Sequence, residues 1–196
     1  SKLFVEVDLE GQNPHFLDIA LPDGFFDGKP PSQPVRLNTA FTGDRIVWTF
    51  NTGMDIYYSS DLDEVEVMKI DLGIKSPNAN IDPMTLGPFE ANASLDSYGG
   101  LLYDPYRKKY YRMFRYGVEG DARKDLPVEH LASHPNKFSI FVLNEDFEVE
   151  REVIFTGVKY DYRQYFLSSK GFFLSLNNPL NPEFDENYLR FERIAL

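Results

Sequence analysis

The sequence predicts an all-β chain of antiparallel four-stranded blades, a partial β-propeller, with a β-sandwich as the competing arrangement. Three observations carry this expectation. Apolar and polar residues alternate over short runs along most of the chain, and helical periodicity is nearly absent. Aromatic residues are abundant, with 17 Phe and 12 Tyr, and such side chains suit a pleated, half-buried surface. Tight-turn sequences separate the alternating runs.

The first two strands are expected at 2–9 and 16–21. In the first, Leu3, Val5, Val7 and Leu9 alternate with Phe4, Glu6 and Asp8. Strands at 35–41, 45–51, 54–60 and 64–70 make a first complete unit, with Thr42-Gly43-Asp44 turning between the first pair. Strands at 98–103, 109–116, 137–143 and 147–155 make a second. Its first pair is joined at Asp104-Pro105-Tyr106-Arg107, where Pro suits the second turn position. The apolar row Phe147, Val149, Val153 and Phe155 is broken only at Arg151. The last strands are expected at 162–168, 172–177 and 188–196, with Ser168-Ser169-Lys170-Gly171 as the first turn.

The two complete units resemble each other. Tyr57 to Val67 matches Ile140 to Glu150 as strand, tight acidic turn, strand, and Arg45 to Phe50 can be laid over Lys109 to Phe114. Repeated four-stranded antiparallel units mark a propeller. The expected organisation is one domain over 1–196, with blade remnants at 1–21, blades at 35–70 and 98–155, and a partial blade at 162–196. That is too few to close a ring of about 4–8 blades. An unclosed end leaves open blade edges, and three arrangements resolve it: the chain is the C-terminal portion of a longer propeller, two copies close a ring as a homodimer through those edges, or the sheets fold over as a sandwich.

Connections in a meander alternate between the two ends of the sheet. The long ones, 22–34, 71–97, 117–136 and 178–187, all fall at the same end. Loops on a rigid scaffold carry most binding functions, so a ligand is expected at that rim.

Charge and composition remove several classes. The net charge of −11, from 20 basic and 31 acidic residues, disfavours nucleic acid and anionic membrane surfaces as partners. The absence of cysteine removes disulfides, thiolate metal sites and a Cys nucleophile. No apolar run is long enough to span a bilayer, so this segment is expected not to insert into a membrane.

Three stretches carry a family resemblance: Gly99 to Phe114 (GGLLYDPYRKKYYRMF), Asn136-Lys137-Phe138-Ser139-Ile140, and the ending from Asn177-Asn178-Pro179 through Asp185-Glu186 to Leu189-Arg190-Phe191. Over roughly residues 35–196 the chain resembles the C-terminal half of an uncharacterised Bacteroidetes family, DUF4221-like presumed lipoproteins with a propeller-like domain of unknown function. The resemblance implies a lipoprotein signal and further blades upstream, and a cell-envelope location, outer-membrane-anchored or periplasmic. It supplies no catalytic residues.

The candidate chemistry is sparse. His130 and His134 stand four apart near Asp125 and Glu129, a spacing that ligates zinc on a helix. No strong helix pattern surrounds them, so solvated loop imidazoles are the simpler reading and no metal is expected. Asp61, Asp63 and Glu64, like Glu145 and Asp146, crowd turns without a calcium-loop pattern. There is no nucleophile elbow, Walker motif or dinucleotide fingerprint. Tyr103, Tyr106, Tyr110, Tyr111, Arg112, Arg115 and Tyr116 form an aromatic-basic stretch that suits packing better than a binding patch. Trp48 is expected in the core.

The expected function is therefore a non-enzymatic binding or scaffold domain without a cofactor, whose partner is an unidentified protein or glycan. Ligand-contacting residues on the long-loop face are expected among Tyr116, Asp125, His130, His134, Asp82 and Asp96. The alternative is a glycan-acting enzyme or carbohydrate-binding propeller using loop carboxylates such as Asp82, Asp96 or Asp125.

Overall fold

A computed structural model describes residues 5–6, 15–16, 36–51, 53, 55–60, 64–71, 86–118 and 127–196. These form thirteen strands and two short helices. In chain order the strands are β1 (Val5–Glu6), β2 (His15–Phe16), β3 (Leu37–Phe41), β4 (Ile46–Phe50), β5 (Ile56–Ser59), β6 (Glu66–Met68), β7 (Ser97–Asp104), β8 (Lys109–Arg115), β9 (Lys137–Leu143), β10 (Val149–Thr156), β11 (Asp161–Ser168), β12 (Gly171–Ser175) and β13 (Phe191–Ile194). Helix α1 is Pro88–Ser94 and helix α2 is Val128–Ser133. Each strand lies within or overlaps one expected from the sequence.

All pairing is antiparallel and sequential. The strands group as β1-β2, β3-β4-β5-β6, β7-β8-β9-β10 and β11-β12-β13. The two matched sequence units are the two four-stranded sheets. Tight turns set their registers. Gly43 takes φ +97 in the β3–β4 turn, a conformation open to glycine at little cost. The Asp104 carboxylate accepts the backbone N–H groups of Tyr106 (2.9 Å) and Arg107 (3.2 Å) in the β7–β8 turn. Asn144 Oδ1 does the same for Asp146 and Glu148 after β9.

The β7–β10 sheet lies between its neighbours. One face packs against the β3–β6 sheet through Val47, Ile56, Tyr110, Phe114, Phe141 and Phe147. The other packs against the β11–β13 sheet through Tyr111, Met113, Phe138, Ile140, Phe172 and Leu174. This double burial explains why β8 and β9 lack clean alternation: both rows of each strand are inside. Tyr110 and Tyr111 are buried, as the packing reading of that stretch expects, and Tyr106 is exposed. Trp48 is 1% exposed and stacks on Tyr57. Each large side chain buried this way contributes roughly 1.5–3 kcal/mol.

The helices depart from the sequence reading, which expected unstructured loops. Pro88 occupies the first turn of α1, and Glu90 Oε2 accepts the Gly87 N–H at 3.2 Å. With seven and six residues, the helices are too short to show an amphipathic period. They pack on each other through Ala93 and Leu131, so the described parts of loops 71–97 and 117–136 form one structure. No described helix is long and apolar enough to cross a membrane.

Candidate functional site

The first strand of each large sheet contributes to one cavity of about 400 Å³. Arg36 and Asn38 reach it from the start of β3, Ser97 to Gly100 from β7, and Tyr162, Arg163 and Tyr165 from β11. Asn92 of α1, with Ala132 and Ser133 of α2, roofs it from the long-loop rim. The opposite rim carries the tight turns. There Arg107 pairs with buried Asp104 at 2.9 Å and donates to the carbonyls of Ser168 and Ser169, joining two sheets.

Two irregularities in the β-ladders open the cavity. Tyr98 pairs with Phe114 and Leu101 with Arg112, so Gly99 and Gly100 together oppose the single residue Met113. In β11, Asp161 pairs with Ser175 and Tyr165 with Leu174, leaving Tyr162, Arg163 and Gln164 outside the ladder pairing with β12. Bulges re-aim side chains and expose backbone, and they are enriched beside functional sites. The first of these is crowded around its two glycines. A Cβ on Gly99 would stand 3.0 Å from Met113 Cβ, and one on Gly100 would collide with the Tyr165 hydroxyl.

Arg112 closes the bulge from behind. Its guanidinium is buried, donates to the carbonyls of Gly99 and Phe50 at 2.8 Å each, and lies 5.1 Å from the centre of the Tyr98 ring. Burial pulls its pKa down to about 9, so it stays charged at neutral pH.

Arg115 is 5% exposed and donates to the carbonyls of Asn92, Leu95 and Ala132, binding both helices to the sheet. Burial lowers its pKa first of all, Tyr162 and Asp96 oppose that, and Arg36 adds to it. On the far wall, Asp161 Oδ1 accepts the Arg163 backbone N–H at 3.1 Å and its Nε–H at 3.2 Å. Arg163 also donates to His134 Nε2 at 2.6 Å. Burial and then the Arg163 charge hold the His134 pKa below its ordinary value. His134 is therefore neutral at pH 7, and its 3.8 Å approach to Asp161 is not an ion pair.

The residues singled out from sequence separate in space. Asp96 sits beside Arg115, with Oδ1 accepting the Gly117 N–H at 2.6 Å and Oδ2 buried without a hydrogen-bond partner. His134 stands at the cavity edge against Arg163. His130 is exposed on α2, one turn before His134. The helix that the His130/His134 spacing needs does exist, yet the described residues hold no cluster suited to a metal ion. Tyr116 belongs to a packing network, accepting from Ser139 Oγ at 3.1 Å and donating to Glu152 at 2.5 Å. Asp82 and Asp125 lie outside the described residues.

Sequence reading missed Arg36, Asn38, Tyr162, Arg163 and Tyr165. The Gly99-Gly100 pair inside a strand pattern was the available signal, because paired glycines there mark a bulge or a close backbone approach.

A family model described as a domain of unknown function (DUF4221) matches residues 2–153. A solved member of the DUF4221 family from Bacteroides vulgatus ATCC 8482 matches with a TM-score of 0.74 and 24% identity, over 97% of this chain and 55% of that one. A protein from Lactobacillus plantarum matches with a TM-score of 0.45 and 10% identity, over 97% of this chain and 47% of that one. The chain thus spans about half the length of the solved proteins it matches. No curated protein matches it.

Proposed function

We propose, from the premise that this chain belongs to the DUF4221 family, that it is a non-enzymatic binding domain formed by consecutive blades of a propeller. The observation that carries the reading is the cavity where β3, β7 and β11 meet. A two-layer sandwich has no middle sheet, whereas here one four-stranded meander packs against a neighbour on each face, with its inner strands β8 and β9 buried on both. First strands that converge on a shared depression are the expected geometry of blades around an axis.

The same proposal takes 35–70, 98–155 and 162–196 as successive blades of a larger propeller, and a presumed lipoprotein at the cell envelope as their setting. The family resemblance of Gly99 to Phe114 and of the C-terminal stretch supports that setting. Against an enzyme stands the engagement of the nearby Asp161 carboxylate, which is held by Arg163.

A thermal-shift screen of glycan fragments and peptides tests the reading. A ligand that raises the melting temperature should lose its effect with Asn38→Ala/Tyr162→Ala and keep it with Tyr106→Ala, since Tyr106 is exposed on the opposite rim. Loss through Tyr106→Ala alone, or turnover of a polysaccharide, would overturn it.

A further inference from the structure

We infer that the cavity takes an anionic, hydroxyl-rich small ligand of the acidic-sugar class, an inference that rests on the binding-domain reading above. The cavity inverts the charge of the chain. Overall the chain carries −11, yet its described lining includes Arg36, Arg115 and Arg163 and no Asp or Glu. Concave walls of one sign concentrate ligands of the other.

The three guanidinium groups differ in what they still offer. Arg115 is spent on three carbonyls, and only its buried Nε lacks a partner; it supplies fixed charge. Arg163 is half committed to Asp161 and His134. Arg36 anchors its backbone N–H on Asn51 Oδ1 at 2.7 Å, while among the described residues its guanidinium has no ion pair. An arginine with a free planar fork is suited to a carboxylate.

The remaining lining is polar and aromatic. Within the described residues, the side-chain amides of Asn38 and Asn92 and the Tyr162 hydroxyl make no hydrogen bond, so they are available to sugar hydroxyls. The Tyr162 and Tyr165 rings add apolar faces of the kind sugar rings stack on. A volume near 400 Å³ lies at the small end of ligand sites, roughly 300–1,000 Å³. A long polyanion such as nucleic acid would meet the acidic remainder of the surface.

The test is an NMR titration of the ¹⁵N-labelled chain with a galacturonate trisaccharide, its neutral galactose counterpart and inorganic phosphate. The acidic sugar should move the amides of Gly99, Gly100 and Ala132, and bind at least tenfold more tightly than either control. Arg36→Gln should weaken it about tenfold, with Arg36→Lys between the two. Equal binding of the neutral sugar at the same amides would overturn the charge assignment and leave the binding-domain reading standing. Equal binding of phosphate would show an adventitious ion only and overturn the sugar assignment. Shifts confined to the Tyr106 rim would overturn both.

Discussion

The Tyr165 hydroxyl occupies the space where a Cβ on Gly100 would lie, well inside the 3.0 Å that real Cβ atoms keep. The contact joins the first strand of one sheet to the first strand of the next, at the floor of the cavity. Gly100→Ala should therefore destabilise the chain by about 1 kcal/mol, the low end for overpacking, because the Tyr165 ring borders the cavity and can shift. Most of the clash is with the hydroxyl. In a Tyr165→Phe background the cost should shrink, and a double-mutant cycle by urea unfolding measures that coupling. Additive effects would contradict the contact.

Arg112 satisfies two carbonyls that belong to different sheets. Arg112→Met should cost roughly 2–4 kcal/mol, because two carbonyls lose a charged donor, although the Phe50 carbonyl keeps the Gly53 N–H at 3.4 Å. Urea midpoints with an unchanged slope would report it. A cost below about 0.5 kcal/mol would mean that water or neighbouring groups take over the acceptors.

Most of the architecture was legible in the sequence because short alternating runs and turn residues are local signals. All thirteen strands lie within or overlap expected spans. The site was not legible to the same degree. Arg36 comes from one sheet and Tyr162 and Arg163 from another, and nothing local marks Arg36 as a neighbour of the other two. Tyr116 is expected among the ligand-contacting rim residues, and its hydroxyl is tied into the Ser139–Glu152 network, a long-range link that no local signal marks. The helices escaped notice for want of length, although Pro88 followed by Glu90 is a start signal for α1.

His134 should titrate below its ordinary range, since burial and Arg163 both disfavour the imidazolium. A base with a depressed folded pKa binds its proton more readily when unfolded. Its contribution to stability is therefore lost as the pH falls through the ordinary histidine value of about 6.5. Arg163→Gln should raise the His134 midpoint and Asp161→Asn should lower it further. Proton-detected histidine titrations follow both, and a midpoint unmoved by Arg163→Gln would contradict the arrangement.

Alkaline pH should unfold the chain between about 10 and about 12. Burial is the main cause that holds the hydroxyls of Tyr98, Tyr110, Tyr111 and Tyr116 protonated up to about 12, against an ordinary value of 10.0. These groups have raised folded pKa values, so their stabilisation is complete below about pH 10 and lost as the pH approaches about 12. Arg112, with its pKa lowered to about 9, acts in the opposite direction but is one group against four. Tyrosinate absorbance should rise together with loss of the far-ultraviolet β signal. Titration of those four near their ordinary value in a folded chain would contradict their burial.

The account depends above all on the first strands of successive sheets meeting around one cavity. The most direct measurement is a set of proton–proton NOEs from the rings of Tyr162 and Tyr165. Tyr165 should show strong NOEs to the Gly100 α protons. Tyr162 should show them to those of Gly99, since a Cβ on that glycine would lie 3.7 Å from the Tyr162 ring. If instead those rings contact only residues of their own sheet, the sheets do not meet there and the cavity does not exist.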